Sequence, residues 1–337
     1  MKIQYFNRIS ITAFMLIILQ VQNCQIPKNS GSSHSVVISN DKERQTQFYT
    51  SSMTPDIDYL GKGAAEKMDI YYPSNADSAE RFPAILIIHG GGWTGGDKAS
   101  SREKEIGNFF SGHGYVCASI NYSLAGKSPA FPLNIMQCKS AVKYLRANAK
   151  KLRIDPGHIG VIGGSAGGHL ALMTAFTGDD DYFKPVGYYP EISDKVQAVV
   201  DMYGITNLLT RQKPDENGIP KGVLYDGSSH LKYLGFSREQ NPDLWKKASP
   251  VNYITTDDPP VLILHGLNDT TVDYKQSVEL DSLLAKSNHP HSLVLIKNVG
   301  HTFSLMRDSE GNLLQEDLSP LVLKFFNNYL KPGKTGI

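Results

Sequence analysis

Gly163-Gly164-Ser165-Ala166-Gly167-Gly168-His169 follows the apolar residues 159–162 and leads into the helix-forming residues 170–175. A serine among small residues at a strand-to-helix turn is held in a strained, exposed position. Gly163 and Gly167 fit the G-x-S-x-G pattern, in which larger side chains would clash across the turn. A glycine-rich loop that only turns the chain has a similar composition, so this stretch alone leaves both interpretations open.

Around that turn the sequence alternates between strand-like and helix-like patterns. Short apolar runs, typical of central strands covered on both faces, occupy residues 84–88, 115–120, 159–162, 198–202, 261–264 and 293–296. Residues 67–72 alternate polar and apolar side chains, as an antiparallel strand does. Helical patterns cover residues 134–149, 170–176, 274–286 and 318–329. The alternation predicts an α/β fold with a mostly parallel central sheet and helices on both of its faces.

The composition of the 337-residue chain is that of an ordinary globular protein, with 40% hydrophobic and 20% charged residues. A formal net charge of +1 gives no reason to expect a nucleic-acid partner. No Cys/His cluster has the spacing of metal ligands, and we expect no metal or organic cofactor. Cys117 and Cys138 lie in apolar patterns. Export would permit a disulfide between them, but two buried free thiols are the favoured state.

The N-terminus has the pattern of an export signal. Lys2 and Arg8 precede the apolar residues 9–19, a run too short to span a membrane comfortably. Val21-Gln22-Asn23-Cys24 resembles the lipobox of bacterial lipoproteins, although Asn23 stands where Gly, Ala or Ser is usual. Residues 1–24 are therefore predicted to be a lipoprotein signal with Cys24 as the lipidation candidate. The protein would be periplasmic, an outer-membrane lipoprotein or secreted. Ordinary cleavage and a buried N-terminal helix are the alternatives.

The remaining chain divides into a polar tether, residues 25–52, and a folded body, residues 53–333. Within the body, residues 204–253 break the strand–helix rhythm and are rich in Gly and Pro. They predict an irregular excursion over one sheet edge that shapes a substrate pocket, with a solvated surface loop as the alternative. Aromatic residues that could stack on sugars or aryl groups, or simply pack, are Tyr188, Tyr189, Tyr203, Tyr225 and Trp245.

A second glycine-rich segment, His89-Gly90-Gly91-Gly92-Trp93, directly follows the predicted strand 84–88. Consecutive glycines let backbone N–H groups approach a substrate oxygen, as acyl transfer requires. The predicted oxyanion donors are the N–H groups of Gly91, Gly92 and Trp93 together with that of Ala166. A phosphate-binding loop is disfavoured because the segment lacks the Gly-Lys-Ser/Thr ending.

A nucleophilic serine needs a histidine base and a carboxylate that orients it. Asp269 follows the strand pattern 261–264, and His301 follows 293–296, so both should share one rim of the sheet with Ser165. We predict Ser165 as nucleophile, Asp269 as acid and His301 as base.

The chain contains rivals for both partner roles. His89 and His265 stand directly after strands, where an imidazole usually braces a loop, and His169 lies inside the helix after Ser165. Among the carboxylates, Asp257 and Asp273 are near Asp269, and Asp273 has the position of a helix cap.

These residues together resemble the α/β-hydrolase superfamily, and more closely its esterase/lipase group with an HGGGW oxyanion loop. That group includes bifunctional feruloyl and acetyl-xylan esterase domains. The segments that carry the resemblance are residues 89–98 (HGGGWTGGDK), 163–172 (GGSAGGHLAL), 248–251 (ASPV), 259–272 (PPVLILHGLNDTTV) and 300–301. The chain departs from the group at Asn121-Tyr122-Ser123-Leu124, where such proteins often have Asn-Tyr-Arg-Leu.

The resemblance implies an α/β-hydrolase fold and a serine ester hydrolase that acts through an acyl-enzyme. Together with the predicted export signal, it suggests carbohydrate esters carrying acetyl or feruloyl groups as substrates. The expected partner is a small-molecule or oligosaccharide ester, with membrane contact only through the lipid anchor and the oligomeric state left open. The alternatives are an amide, peptide or arylformamide hydrolase with the same triad, and a non-catalytic binding module on this fold.

Overall fold

The protein is represented by a computed structural model, which describes residues 49–77, 79–178, 180–185 and 189–331. The predicted signal with Cys24, most of the predicted tether, Tyr188 and residues 332–333 lie outside the described residues. Within the described ranges, no helix combines the length and the apolar character needed to cross a membrane.

One eight-stranded sheet forms the centre of the molecule, in the order β1-β2-β4-β3-β5-β6-β9-β10. Strand β2 pairs antiparallel with β1 and β4, and every other pair in this sheet is parallel. Its strands are β1 (Ser51–Ile57), β2 (Met68–Pro73), β3 (Phe82–Ile88), β4 (Val116–Ile120), β5 (Ile154–Gly164), β6 (Ala198–Met202), β9 (Val261–Gly266) and β10 (His291–Ile296). The predicted mostly parallel α/β sheet is confirmed.

Helices cover both faces of this sheet because its central strands are apolar on both sides. All seven residues of β3 are buried, and alternate side chains enter two different apolar clusters. One cluster includes residues of α2, α4 and α7, and the other includes residues of α1 and α8. The helices are α1 (Ser101–Gly112), α2 (Leu133–Ala147), α3 (Ala149–Leu152), α4 (Ala166–Phe176), α5 (Ser228–Leu234), α6 (Pro242–Lys247), α7 (Lys275–Lys286) and α8 (Ser319–Leu330).

The two cysteines of the body lie in these different clusters. Cys117 belongs to the cluster on the α1/α8 face, and Cys138 belongs to the cluster on the α2/α4 face. Both thiols are buried and free. The sheet lies between the two thiols, which explains why they are not bonded to each other. The favoured prediction of two free thiols is confirmed.

The segment 204–253 is not irregular throughout, so that part of its prediction was wrong. It contains the hairpin β7 (Gln212–Pro214) and β8 (Pro220–Leu224) as well as α5 and α6. Several of its Gly and Pro residues lie at the ends of these short elements or in the turns between them. Gly218 adopts a φ of +80° in the hairpin turn, Gly235 a φ of +81° after α5, and Pro242 occupies the first turn of α6.

Strand β1 begins at Ser51 and so reaches two residues into the segment predicted to be the tether. Almost all of its side chains are exposed, so no apolar pattern marks it, and backbone pairing with β2 holds it at the sheet edge.

At the departure from the Asn-Tyr-Arg-Leu pattern, Ser123 belongs to a polar network. The Gln137 side chain accepts a hydrogen bond from Ser123 N (2.7 Å) and donates one to Ser123 Oγ (2.8 Å). Ser123 Oγ in turn donates to Glu66 (2.7 Å).

Candidate active site

Ser165 lies in the sharp turn between β5 and α4. Its backbone has φ +58° and ψ −123°, a conformation that is unusual for a residue with a side chain. A Cβ atom on Gly163 would lie 2.2 Å from the carbonyl oxygen of Gly167, and one on Gly167 would lie 2.2 Å from that of Ile88. Both glycines are therefore required where the sequence pattern predicted them.

The three predicted catalytic residues meet at the carboxyl ends of β5, β9 and β10. The Nε2 atom of His301 is 2.9 Å from the Oγ atom of Ser165. On the other side of the imidazole, Nδ1 is 2.6 Å from Oδ2 of Asp269. The structure thus brings these side chains, which are up to 136 residues apart, into one hydrogen-bonded chain.

Asp269 is completely buried, and its other oxygen is also occupied. Oδ1 accepts hydrogen bonds from the backbone N–H groups of Thr271 (2.8 Å) and Val272 (2.9 Å). Burial alone would raise the pKa of Asp269, but hydrogen bonds from His265 and His301 hold that pKa well below its usual range. Asp269 is therefore an ionised carboxylate at neutral pH.

The environment of His301 favours its neutral form. Burial lowers the pKa of His301, and the hydrogen bond and the charge of Asp269 offset this effect only in part. An imidazole that is neutral near pH 7 can accept a proton from a hydroxyl group, which is the requirement for a general base.

The loop after β3 lies against the serine turn and presents free N–H groups. A Cβ atom on Gly90 would be 3.4 Å from Cβ of Ser165, so the two segments are in contact. Within the described ranges, no protein acceptor bonds the N–H groups of Gly91, Gly92, Trp93 or Ala166. The loop bends back on itself, because Gly91 O accepts from the N–H groups at positions 94 and 95, both at 3.1 Å.

The side chain of Trp93 anchors this loop. It is fully buried, stacks on Tyr233 with ring centroids 4.4 Å apart, and donates from Nε1 to Nδ1 of His169 at 3.2 Å. Residues of the 204–253 segment also flank the loop, since a Cβ on Gly92 would lie 3.4 Å from Cβ of Ser229.

The same segment touches the loop that carries Asp269. A Cβ on Gly218, in the β7–β8 turn, would lie 2.8 Å from the backbone of Asn268. The segment therefore borders the site from two directions. Of the aromatic candidates for substrate stacking, Tyr203 and Trp245 are fully buried and pack in the interior, whereas Tyr225 is partly exposed.

Two rival histidines have structural contacts that agree with their expected roles. His89 bonds through Nδ1 to the carbonyl oxygen of Gly90 at 2.7 Å and braces the loop after β3. His169 is fully buried beneath Trp93, and its Nε2 is 2.8 Å from the carbonyl oxygen of Ala248.

The rival carboxylates do not contact His301. Asp257 is exposed. Asp273 is buried, but its Oδ2 accepts from the backbone N–H of Gln212 at 2.8 Å, and α7 has no side-chain cap. The interpretation of Asp273 as a helix cap was therefore wrong, because the nearby segment 204–253 supplies its donor.

Sequence reasoning missed a largely buried network beside His301. Arg102 of α1 donates from Nη1 to the hydroxyl of Tyr203 at 2.6 Å, and its guanidinium also pairs with Glu103. The Tyr203 hydroxyl donates to the carbonyl oxygen of Phe303 at 2.6 Å, and the Tyr203 ring lies 4.9 Å from that of His301. None of these residues is part of a recognisable motif, so no signal in one sequence could have found them.

Sequence reasoning also assigned His265 only to loop bracing. The structure places Nε2 of this buried histidine 3.3 Å from Oδ2 of Asp269. Its position four residues before the acid was the available signal. In the part of the chain that the structure describes, no three His, Cys, Asp or Glu side chains are grouped to hold a metal ion.

Comparison with known proteins decides the family. The BD-FAE family model matches residues 68–284, which is more than half of the chain and includes Ser165 and Asp269. The chain belongs to the BD-FAE family. This BD-FAE protein has the α/β-hydrolase fold, and its predicted resemblance to the esterase/lipase group is confirmed.

Relatives of this BD-FAE protein carry esterase names. Esterase LipQ of Mycobacterium tuberculosis is 30% identical over 278 residues, which are 80% of this chain and 62% of LipQ. This chain thus spans less than two thirds of LipQ.

Solved structures give the same result for the fold. A truncated carbohydrate esterase from gut microbiota superposes with a TM-score of 0.71 at 25% identity, covering 85% of this chain and 98% of the other. Esterase 2 of Thermogutta terrifontis, phosphonylated by sarin, superposes with a TM-score of 0.66 at 25% identity, with coverage of 80% and 92%.

Proposed function

We propose that this protein is a serine carboxylic ester hydrolase in which Ser165, Asp269 and His301 form the catalytic triad. The single observation that carries the proposal is the continuous chain from Ser165 Oγ to His301 Nε2 and from His301 Nδ1 to Asp269 Oδ2, with distances of 2.9 and 2.6 Å. The esterase names of the relatives support the reaction class.

The proposed reaction has two acyl-transfer steps. His301 Nε2 takes the hydroxyl proton as Ser165 Oγ bonds to the ester carbonyl carbon, and the tetrahedral intermediate then expels the alcohol, which receives that proton. Water attacks the acyl-enzyme with the same base assistance and releases the carboxylic acid and free Ser165. Asp269 keeps Nδ1 protonated and stabilises the imidazolium.

The N–H groups of Gly91, Gly92, Trp93 and Ala166 are the proposed donors for the oxyanion. They lie on the loop and the helix start that border Ser165, and they have no competing acceptor within the described residues. Such donors act where negative charge develops, and losing one typically costs 10²- to 10³-fold in kcat.

The proposed substrates are carbohydrate esters with acetyl or feruloyl groups. Family membership and the likeness to a carbohydrate esterase from gut microbiota support this choice. We also propose that residues 1–24 direct export and that Cys24 is lipidated, on the pattern of residues 2–24. Fractionation of cells that express the full chain and its Cys24→Ala variant tests the anchor, because only the variant should leave the membrane fraction.

A matched substrate panel tests the function. We expect wild-type protein to hydrolyse p-nitrophenyl acetate and acetylated or feruloylated xylo-oligosaccharides, and p-nitroacetanilide much more slowly. Ser165→Ala should lose all of these activities. Turnover of amides or formamides without esters would favour the amide hydrolase, and equal turnover by wild type and Ser165→Ala would leave only a binding role.

A further inference from the structure

Two imidazoles approach the same carboxylate oxygen of Asp269. His301 bonds to Oδ2 at 2.6 Å, and Nε2 of His265 lies 3.3 Å from the same oxygen. His265 is the penultimate residue of β9 and is completely buried, as is Asp269. Its side chain therefore approaches Asp269 within the protein interior.

The partners of His265 determine where its proton resides. Nε2 also lies 3.0 Å from the carbonyl oxygen of Val272, so it faces two groups that can only accept. Nδ1 lies 2.7 Å from Oγ of Ser277 on α7, a hydroxyl that can donate. These contacts are satisfied together when Nε2 carries the proton and Nδ1 accepts from Ser277.

We propose that His265 is a positioning residue for the reaction, donating its Nε2–H to Asp269 and thereby fixing the rotation of the carboxylate that orients His301. Two backbone amides hold Oδ1, and two imidazole nitrogens approach Oδ2. The carbonyl oxygen of Val272 also accepts from Nε2–H of His265. One imidazole therefore connects strand β9 to the loop that carries Asp269. This inference rests on the proposed function.

Neutral substitutions of His265 test the proposal without changing the charges around it. Its neighbours include the carboxylates of Asp201 on β6 and Asp273 before α7, as well as Asp269, and His301 lies beyond. Asn and Gln are neutral, as is the assigned tautomer, so both substitutions leave these charges in place. The Gln amide reaches the position of Nε2, whereas the shorter Asn amide reaches only that of Nδ1.

We therefore expect His265→Gln to retain kcat within about threefold and His265→Asn to lose roughly 10- to 100-fold in kcat, with KM nearly unchanged, because a hydrogen bond to a charged group is lost. The acid limb of the kcat/KM profile, which reports His301, should move up by about 0.5 pH unit in His265→Asn, because Oδ2 then interacts more strongly with the imidazolium. A merely structural role would leave that limb in place.

His289→Asn is the matched control. His289 is also buried, and its Nε2 bonds to the carbonyl oxygen of Pro259 at 2.9 Å, near the opposite end of β9. Equal kinetic losses and an unmoved acid limb in the Asn variants of His265 and His289 would overturn the inference.

Two further measurements keep the test decisive. If His265→Asn does not fold, ¹⁵N spectra of the wild-type histidines replace it. Protonation of His265 at Nε2 supports the proposal, and protonation at Nδ1 overturns it. Ser165→Ala separates the two proposals. If it remains active, the proposed function fails, whereas an inactive Ser165→Ala with His265→Asn equal to its control rejects only the role of His265.

Discussion

Replacing Asp269 by Asn probes the acid with almost no change in shape. The two backbone donors at Oδ1, the N–H groups of Thr271 and Val272, require an acceptor there. The Asn oxygen must therefore occupy that position, which puts its NH₂ group where Oδ2 lay, 2.6 Å from Nδ1 of His301. Two donors cannot share that contact, so His301 adopts the tautomer with its proton on Nε2 and can no longer accept the proton of Ser165.

The expected loss follows from this forced tautomer. The same substitution in a serine-protease triad lowers kcat about 10⁴-fold through the wrong tautomer, and we expect a similar loss here. A factor of 10⁴ corresponds to about 5.5 kcal/mol of transition-state stabilisation. Initial rates with p-nitrophenyl acetate measure this loss of kcat, and circular dichroism verifies that the variant is folded.

Asp273→Asn is the control for this experiment. Asp273 is a buried carboxylate four residues further along the same loop, and it accepts from Gln212 rather than from His301. We expect its kcat to stay within about tenfold of wild type, since no triad contact changes. If Asp269→Asn loses less than tenfold, or no more than Asp273→Asn, the assignment of Asp269 as the orienting acid is refuted.

Two further predictions concern packing and pH. Gly167→Ala would place a Cβ 2.2 Å from Ile88 O, so we expect about 1–3 kcal/mol of destabilisation in denaturant unfolding, whereas Gly126→Ala, with open space around it, should have little effect. Equal destabilisation by the two substitutions would contradict the close contact between Gly167 and the carbonyl oxygen of Ile88. Burial lowers the pKa of His169 to about 4 in the folded protein. Because the unfolded chain binds this proton already near pH 6.5, the free energy of unfolding is highest above about pH 6.5 and falls as the pH decreases towards 4. The loss is about 3 kcal/mol, and thermal unfolding of wild type and His169→Gln should converge at low pH. A difference in thermal stability between the two proteins that stays constant with pH would argue against the lowered pKa of His169.

Much of the architecture was predictable because its signals are local. The central strands are continuous apolar runs, and all of β3 is buried on both faces as its sequence predicts. The glycines around Ser165 are also a local signal, since the clashes that exclude larger residues occur within a few positions along the chain or with the adjacent strand end.

The features that were missed depend on contacts between distant segments. Strand β1 is almost entirely exposed, and backbone pairing with β2 defines it. The bond from Arg102 to Tyr203 joins residues 101 positions apart. The side chain of Asp273 was misassigned because its donor, Gln212, comes from a segment 61 positions earlier.

Covalent labelling of Ser165 tests the central claim most directly. Wild-type protein is incubated with a fluorophosphonate that mimics the tetrahedral intermediate, and the adduct is located by peptide mass spectrometry. We predict one equivalent of label on Ser165, simultaneous loss of esterase activity, and no label on Ser165→Ala. Label on another residue, or full inactivation with Ser165 unmodified, would contradict the proposed mechanism.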